Sequence, residues 1–329
     1  MTAYSLLDLV PIIQGGTASQ AFANAADLAR HAETEGFNRY WVAEHHGMEG
    51  IASAATAVVI GHVGAATSTI RVGAGGIMLP NHAPLQIAEQ FGTLDALFPG
   101  RVDLGLGRAP GSDQKVAQAI RRNLETDANA FPQDVMELQS FFADDGRTGI
   151  RATPGAGAKV DLWILGSSLF GAQLAAALGL PYAFASHFAP GLLDEAIEMY
   201  RRNFRPSAAL AKPHLMLGFN VFAADTDEEA ELLATSQQQA FVAIRTTGRG
   251  IQMPPPVPGY RESLGAQGAA ALDHVLSASA IGGPDKVRRE IAAFIERTGA
   301  DELMIGSAMF DHAARKRSLT ITATAMRGL

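Results

Sequence analysis

The segment IRVGAGGIMLPNHAPLQIAEQFGTLDALFPGRVDLGLGR, residues 70–108, gives the clearest indication of the fold. It contains an apolar run that starts at Ile70, a segment in which apolar residues recur at helical spacing, and a second apolar run that starts at Arg101. Nearly continuous apolar strands joined by an amphipathic helix predict parallel neighbours in a sheet that helices cover. A comparable run starts at Arg39, so the three runs begin 31 residues apart, which suits one repeated β/α unit.

The same alternation continues over the rest of the chain. Ser5–Val10 is the first predicted strand, and the second half supplies four more, namely Val160–Leu165, Tyr182–Ser186, Leu215–Ala223 and Glu302–Ile305. Eight parallel strands close a barrel, so the sequence predicts an α/β fold, a (β/α)8 TIM barrel built as a single domain from residues 1–329. Two irregular stretches are predicted excursions after strand 4 and after strand 7: Asp144–Lys159, and Thr247–Ser279, which we interpret as a lid.

The bulk composition excludes several classes of function. A net charge of −7 argues against a nucleic-acid partner, and the short basic cluster 315–317 is interpreted as a solvated helix face. Without cysteine, the chain cannot form disulfides, iron–sulfur clusters or a thiol nucleophile. No apolar run approaches the roughly 20 residues of a membrane span, so we expect a cytoplasmic protein without a membrane partner.

Glutamate and histidine stand where the second predicted strand ends, in Ala43-Glu44-His45-His46. In a parallel barrel the active site forms at the carboxyl ends of the strands. Adjacent residues on a strand point to opposite sides, so the last three cannot all line one cavity, and no metal site is expected. A single histidine at the mouth can transfer a proton near neutral pH, and His45 is the candidate. The alternative is that the histidines only satisfy backbone groups at the strand end.

His187 occupies a comparable place, because it follows the sixth predicted strand in Ala185-Ser186-His187-Phe188. We assign Glu44 and His187 to the substrate or to the lid. The remaining isolated histidines are interpreted as structural or solvated: His31, His62, His82, His214, His274 and His312.

Glycines end the third and fourth predicted strands. Gly75 and Gly76 would let a large flat ligand approach the backbone, although tight packing at the barrel rim is the simpler explanation. The fourth strand ends in a glycine-rich turn with a fixed cation, Gly107-Arg108, a combination that can hold a phosphate. The spacing G-x-G-x-x-x-G and its place in the fourth unit do not match a dinucleotide-binding fingerprint.

The fifth predicted strand ends in Gly166-Ser167-Ser168, directly before a helix. Hydroxyls and free N–H groups at a helix N-terminus suit an anion, and they also suit plain N-capping, which is the commoner explanation. Together the strand ends offer a glycine platform, a cation, a hydroxyl turn and a histidine. This set predicts a phosphate-bearing planar cofactor rather than a metal.

Four segments at these positions resemble the luciferase-like flavin monooxygenase family. They are WVAEHHGM (41–48), the stretch 70–111, WILGSSLFGAQLAAALGLPYAFASHFAP (163–190) and IGGPDKVRREIAAFIERTGADELMIG (281–306), and they follow one another in family order over most of the chain. The likeness is greatest to a branch that carries the ASHFAP segment, rather than to the light-emitting luciferases.

The resemblance implies a TIM-barrel homodimer that uses reduced FMN supplied by a separate reductase. Oxygen adds to the flavin to give a C4a-hydroperoxide, which oxidises a small organic, apolar substrate. By position, His45 matches the histidine at the reacting end of the flavin. Gly75 and Gly76 match the strand under the isoalloxazine, which has a non-proline cis peptide, and Arg108 matches the arginine that binds the phosphate.

The chain also departs from the luciferases. Ser167 and Ser168 match a Glu-Ser pair near the phosphate and the ribityl chain, so Ser167 replaces a glutamate, and Gly107 replaces a cysteine beside the flavin. We therefore expect different contacts there and no light emission. Thr247–Ser279 has no counterpart, so the aldehyde substrate of luciferase is not carried over.

Two other functions remain open. A deazaflavin- or NAD(P)H-dependent flavin oxidoreductase could use the same barrel, but the acidic tail of a deazaflavin needs several basic groups and only Arg108 is evident. A non-catalytic flavin-binding protein would lack the histidine at the reacting end or the lid, and the sequence has candidates for both.

Overall fold

Eight parallel strands form a closed ring in the computed structural model, which describes residues 2–108, 116, 119–120 and 128–329. The strands of this described chain are β1 (Ala3–Asp8), β2 (Arg39–Val42), β3 (Arg71–Met78), β4 (Val102–Gly107), β5 (Asp161–Gly166), β6 (Tyr182–Phe184), β7 (Leu215–Ala223), β8 (Ser279–Gly282) and β9 (Glu302–Gly306). Around the ring the order is β1 to β7 and then β9, whose pairing with β1 closes it. The predicted (β/α)8 TIM barrel is confirmed, and all eight predicted strands are in place.

The strand β8 was not predicted. It pairs in parallel with the carboxyl-terminal half of β7, where Asn220 lies opposite Ser279, and it extends the sheet outside the ring. Ser279 therefore begins a strand instead of ending an excursion, which corrects the predicted boundary. The four residues of β8 are too few to carry a recognisable apolar pattern between a long loop and a helix.

Helices cover the outside of the ring. Within the described ranges they are α1 (Ala18–Thr34), α2 (Thr56–Ala65), α3 (Pro84–Leu97), α4 (Phe131–Ala143), α5 (Leu169–Leu178), α6 (Leu193–Asn203), α7 (Asp227–Thr247), α8 (Tyr260–Ser263), α9 (Gly265–Val275), α10 (Pro284–Thr298) and α11 (His312–Met326). Thr17 and Thr226 start α1 and α7 by accepting a hydrogen bond from the backbone N–H three residues on, a donor with no partner inside the helix. Outward-facing strand residues such as Val72 and Leu104 share one core with helix residues such as Ile87. No described helix has the length and hydropathy that a membrane crossing would need.

The inside of the barrel is filled from one end only. Large buried side chains occupy its middle level: Leu7, Trp41, Trp163, Met216 and Met304. Two residues further along β7 and β9, the inward positions are glycines, Gly218 and Gly306. Gly75 and Gly107 hold similar positions in β3 and β4. These positions bring no side chain to the upper level, where the His187 ring lies beside Gly218 and Asn220 Oδ1 lies beside Gly306. Ligands of such barrels bind at the carboxyl ends of the strands.

A network of charged side chains closes the opposite end of the barrel. Arg39 donates hydrogen bonds to Glu302 at 3.1 Å and to Asp103 at 2.7 Å, and Trp41 Nε1 donates to Asp103 at 3.0 Å. Ser5 also donates to Glu302. Both carboxylates are buried, so their charges need the guanidinium as a partner. The network holds β1, β2, β4 and β9 together where these strands begin.

The two predicted excursions lie in different places. Asp144–Lys159 packs on the outside of the barrel against α3, where a side chain at Gly92 would overlap Gly155. The excursion after β7 includes α8 and α9, and its first part reaches the mouth. Only the second excursion is therefore placed to cover a site at the carboxyl ends of the strands.

Residues 248–253, which we call the rim segment, lie across the loops that follow β1 and β2. Met253 N–H donates to Ile12 O at 2.8 Å, and Gln14 N–H donates to Met253 O at 2.9 Å. A side chain at Gly50 would overlap the backbone of the rim segment, so the two backbones touch there. Backbone hydrogen bonds thus fasten this part of the predicted lid to the mouth.

Arg315 is buried, which contradicts the predicted solvated face of the basic cluster. Its guanidinium donates to Asp8 Oδ1 at 2.9 Å, and 4% of the residue is exposed. Asp8 is fully buried and also accepts a hydrogen bond from Val10 N–H at 2.9 Å. Arg317, by contrast, is exposed and pairs with an exposed Asp225. The cluster contains a buried ion pair that joins α11 to the end of β1, and its partners lie 307 residues apart in the sequence.

We expect Arg315→Leu to lower the free energy of unfolding by about 3 to 5 kcal/mol, because Asp8 would be left buried and without its counter-charge. Urea denaturation followed by circular dichroism measures the change. Arg317→Leu is the matched control, and removal of its exposed pair should cost less than about 1 kcal/mol. Equal losses in the two variants would contradict the assignment.

Candidate active site

Glu44 lies at the centre of a hydrogen-bonded cluster just beyond β2. Its carboxylate is 1% exposed and accepts hydrogen bonds from Met78 N–H at 2.8 Å, from His46 Nε2 at 2.7 Å and from His82 Nε2 at 2.9 Å. Glu44 and His46 therefore face the same side, as residues two apart on an extended chain should. We call Glu44, His46 and His82 the Glu44 cluster.

The Glu44 carboxylate is ionised and fully engaged by the protein. Burial raises its pKa, but the hydrogen bonds from His82, Met78 and His46 lower it, and the pKa lies below its ordinary value. Because protein donors occupy its oxygens, a positioning role suits Glu44 better than the predicted contact with substrate. His82 was interpreted as structural or solvated. His82 lies 38 residues from Glu44 in the sequence, and no motif spacing connects the two residues, so the sequence does not predict their contact.

His45 stays outside the Glu44 cluster. Its imidazole makes no hydrogen bond to any residue that the structure describes, whereas its two neighbours bond to each other. Burial lowers the pKa of His45, and the nearby Glu44 carboxylate opposes this shift. The ring is therefore neutral at pH 7 and can accept a proton or pass one on.

The Gly75–Gly76 peptide bond is cis, as the family resemblance implies. A side chain at Gly75 would meet Trp41 at 2.8 Å, and one at Gly76 would meet Gly105 O at 2.6 Å. Packing inside the barrel therefore requires glycine at both positions, as the simpler of the two sequence explanations held. Glu44 N–H donates to Gly76 O at 3.1 Å and ties this peptide to the end of β2. A role beneath a flat ligand stays a prediction.

The Arg108 side chain reaches the first turn of α5, the helix that Ser168 precedes. The guanidinium carbon of Arg108 lies 4.2 Å from the centroid of the Phe170 ring, in the second residue of the helix. Ser168 holds the N-cap position, but its side chain makes no capping hydrogen bond, so capping does not explain this residue. Ser167 and Arg108 are exposed. We call Arg108, Ser167, Ser168 and the first turn of α5 the anion cradle.

The anion cradle has the chemistry of a phosphate site. Among the described residues no carboxylate pairs with Arg108, so this part of the chain leaves its guanidinium to a ligand, together with two hydroxyls and the N–H groups of the first turn. Phe170 was not predicted to take part. An aromatic residue two positions after the Ser-Ser turn is the signal that could have found it.

Gly107 and Gly166 end β4 and β5 beside the anion cradle. Within the described ranges, a side chain at Gly107 would make an ordinary contact with Ile77 O at 3.6 Å, and one at Gly166 would contact Gly171 Cα of α5 at 3.8 Å. Packing among these residues therefore does not require glycine at either position. The contact with a cofactor that both were predicted to make stays a prediction.

His187 lies across the barrel from His45, because β2 and β6 are four strands apart in the ring. Its ring packs so closely on β7 that a side chain at Gly218 would overlap Nδ1. Asn220 Nδ2 donates to His187 O at 2.8 Å, and Ser186 Oγ donates to Gly218 O at 2.6 Å. These contacts hold His187 inside the mouth, where its Nδ1 is buried without a hydrogen-bond partner in the described chain.

The predicted site residues form two groups around the mouth. The arc from β2 to β5 carries His45, the Gly75–Gly76 platform and the anion cradle, whereas His187 lies on the arc from β6 to β9. The donor set of the first arc fits a flat cofactor that ends in a phosphate, and FMN is such a molecule. No three histidine, aspartate or glutamate side chains in the described ranges are placed to share a metal ion.

The burial of His187 predicts a pH dependence of stability. Burial lowers its pKa to about 4, from 6.5 for a free histidine. Between these values the unfolded chain binds a proton that the folded protein does not, so stability is lost as the pH falls. From pH 7 to pH 5, the free energy of unfolding should drop by about 2 kcal/mol more in the wild type than in His187→Gln. Urea titrations at both pH values measure this difference, and equal drops would contradict it.

The sequence matches known proteins over nearly its full length. The family model described as luciferase-like monooxygenase matches residues 5–302. A luciferase-like monooxygenase of Escherichia coli strain K12 is 52% identical over 320 residues, which cover 97% of this chain and 95% of the relative. The N-acetyl-S-alkylcysteine monooxygenase of Bacillus subtilis strain 168 is 36% identical over 283 residues, 84% of this chain and 80% of the relative.

Solved structures share the same barrel. The crystal structure of apo-MsnO8 superposes with a TM-score of 0.88 at 32% identity and covers 99% of both chains. Two more distant structures share the fold alone. They are the oxygenating constituent of 3,6-diketocamphane monooxygenase of Pseudomonas putida in complex with FMN (TM-score 0.71, 20% identity, 98% and 96% covered) and an F420-dependent secondary alcohol dehydrogenase (TM-score 0.73, 15% identity, 99% of both). With its barrel and these matches, the chain belongs to the luciferase-like monooxygenase family.

Proposed function

We propose that this oxidoreductase is an FMN-dependent monooxygenase that uses O2 to oxidise a small organic, mainly apolar substrate. The observation that carries the proposal is the anion cradle beside the Gly75–Gly76 platform, in a mouth that also holds His45. Reduced FMN, when bound, supplies the electrons that let one atom of O2 enter the substrate while the other leaves as water.

The anion cradle would hold the phosphate of FMN. A guanidinium and the N-terminal N–H groups of α5 both favour a doubly charged group, and the hydroxyls of Ser167 and Ser168 add hydrogen bonds. Phe170 lies against the guanidinium and restrains the long Arg108 side chain, so less conformational entropy is lost on binding.

His45 would exchange a proton at the reacting end of the site. Its ring is neutral at pH 7 and has no hydrogen-bond partner among the described residues, so it is free to act on a bound molecule. Glu44 and His46 on either side are fixed to each other, and Glu44 is also fixed to Met78. The Glu44 cluster therefore positions His45 without touching the reacting atoms.

The rim segment would keep water from the reacting groups. It is fastened by backbone hydrogen bonds above the loops that follow β1 and β2, on the side of the mouth where His45 lies. Oxygen transfer competes with loss of hydrogen peroxide to water, and a covered, apolar site suppresses that loss. The middle level of the barrel, filled by Trp41 and Trp163, blocks water from below.

The relatives support an oxygen transfer and suggest a first substrate. The Bacillus relative is named for oxidation of N-acetyl-S-alkylcysteines, and the diketocamphane enzyme was solved with FMN. We therefore propose an organic sulfide as the first compound to test. The second candidate is a deazaflavin-dependent oxidoreductase, since one structural neighbour uses F420. It ranks lower because the cradle, as far as the structure describes it, contains one arginine for a long acidic tail.

Several finer points stay predictions from the sequence. They are the separate reductase that supplies FMN in reduced form, the homodimer and the cytoplasmic location. NAD(P)H-dependent flavin reduction and non-catalytic FMN binding remain the alternatives that the following experiment separates from oxygen transfer.

Oxygen transfer is tested with N-acetyl-S-butylcysteamine, an uncharged amide that carries a thioether. We expect wild-type protein with reduced FMN and ¹⁸O₂ to yield a sulfoxide that contains one labelled oxygen. His45→Ala should form product about 100-fold more slowly or worse, while its affinity for FMN changes less than about 2-fold. Release of all the oxygen as hydrogen peroxide by the wild type would sink the proposed function, and an active His45→Ala would remove the role of His45.

The phosphate role of Arg108 is tested with two flavins. Loss of a charge-assisted hydrogen bond should raise the Kd for FMN about 10- to 100-fold in Arg108→Gln. Riboflavin lacks the phosphate, so its Kd should not change between wild type and variant. Quenching of flavin fluorescence measures both constants. An equal loss of affinity for the two flavins would place Arg108 away from the phosphate.

A further inference from the structure

His187 is held by the protein everywhere except at its ring nitrogens. Its backbone carbonyl is fixed by Asn220, and its ring lies on Gly218, yet Nδ1 is buried without a partner and Nε2 makes no hydrogen bond within the described chain. Buried polar groups are nearly always hydrogen-bonded, and one left unpaired costs about 1 to 3 kcal/mol. Nδ1 is enclosed against β7, so a bound molecule could supply a partner only to Nε2.

The position of Nδ1 determines which nitrogen can serve a ligand. Nδ1 occupies the space that a side chain at Gly218 would fill, so it faces the strand and finds no acceptor there. A buried N–H without an acceptor is rarer than an unpaired acceptor, so the proton belongs on Nε2. Nε2 then donates, and the ligand must bring a hydrogen-bond acceptor.

The surroundings of His187 favour an uncharged ligand. Burial alone lowers its pKa to about 4, with no contribution from a charged residue, so the ring carries no charge at pH 7. A carboxylate at this place would lose its hydration and gain no counter-charge. A carbonyl oxygen loses less hydration and gains the same hydrogen bond.

The wall around His187 belongs to the substrate side of the mouth. Every group that suits FMN lies on the arc from β2 to β5, whereas His187 rests on β7 and lies near Gly306 of β9, whose added Cβ would be 4.0 Å from its ring. The imidazole of His187 fills the space beside Gly218, and Asn220 Oδ1 fills the space beside Gly306. This wall faces the Gly75–Gly76 platform across the mouth, so a second molecule beside the cofactor would lie against it.

We infer that His187 is the substrate-recognition residue, and that its Nε2–H donates a hydrogen bond to an uncharged carbonyl-type oxygen of an apolar substrate lying along β6, β7 and β9. The inference rests on the proposed function and adds the substrate class: neutral organic molecules that carry such an oxygen.

Three probes of nearly equal shape test the inference without turnover. Acetophenone carries the acceptor, α-methylstyrene replaces the carbonyl with a methylene group, and benzoate carries a charge. Their binding to protein loaded with oxidised FMN is measured by calorimetry. We expect the wild type to prefer acetophenone about 5-fold over α-methylstyrene, as one net hydrogen bond gives, and to bind benzoate more weakly than acetophenone.

Variants at two positions assign the preference. His187→Leu should abolish it, and His187→Gln, which keeps an N–H donor, should retain part of it. Gly218→Ala should act like His187→Leu, because the new methyl group would displace the imidazole. His45→Leu is the matched control and should keep the preference. In all of these variants the Kd for FMN should stay within about 2-fold of the wild type.

Three results would overturn the inference. One is a preference that survives in His187→Leu, the second is a wild type with no preference, and the third is a loss of about 10-fold or more in FMN affinity in His187→Leu, which would assign His187 to the cofactor. None of these measurements uses oxygen. A wild type that prefers acetophenone but releases only hydrogen peroxide would therefore refute the proposed function and leave His187 as the recognition residue.

Discussion

An eight-stranded barrel encloses room for side chains and little more, so the way its interior is filled determines the rest of this protein. Here the filling is uneven along the barrel axis. Trp41 and Trp163 meet edge to face at 5.3 Å in the middle level, and Arg39 closes the lower end between Asp103 and Glu302. Above them the inward positions of β3, β4, β7 and β9 are glycines. The candidate site lies at the carboxyl ends of these strands, beyond the level that the large side chains fill.

The upper end is also stiff, which a site of this kind needs. Glu44 connects the end of β2 to Met78 of β3 and fixes two histidines, so one buried carboxylate sets the position of His45. On the far side Asn220 fixes the backbone of His187. Both histidines are thus held from strands rather than from free loops, and side chains held in this way need little reorganisation when a ligand binds.

The sequence was sufficient for the barrel, because strand and helix periodicity are local signals that each unit carries independently. Residue types at the strand ends indicated His45, Arg108 and the two glycines of the platform as site residues, and their roles stay predictions. Hydrogen-bonded pairs that only the folded barrel brings together could not be predicted, because no sequence spacing connects Asp8 with Arg315, or Glu44 with His82. The same holds for the closeness of His187 to Gly218, since the register between β6 and β7 decides which glycine lies under the ring.

The fastening of the rim segment has a consequence for how molecules enter and leave. Opening the mouth above β1 and β2 would break the paired backbone hydrogen bonds at Met253 and separate two backbones that touch at Gly50. Molecules that enter or leave on this side would first have to break these contacts. A flavin that leaves after each turnover would need such a passage in every cycle, whereas a flavin that stays bound would not.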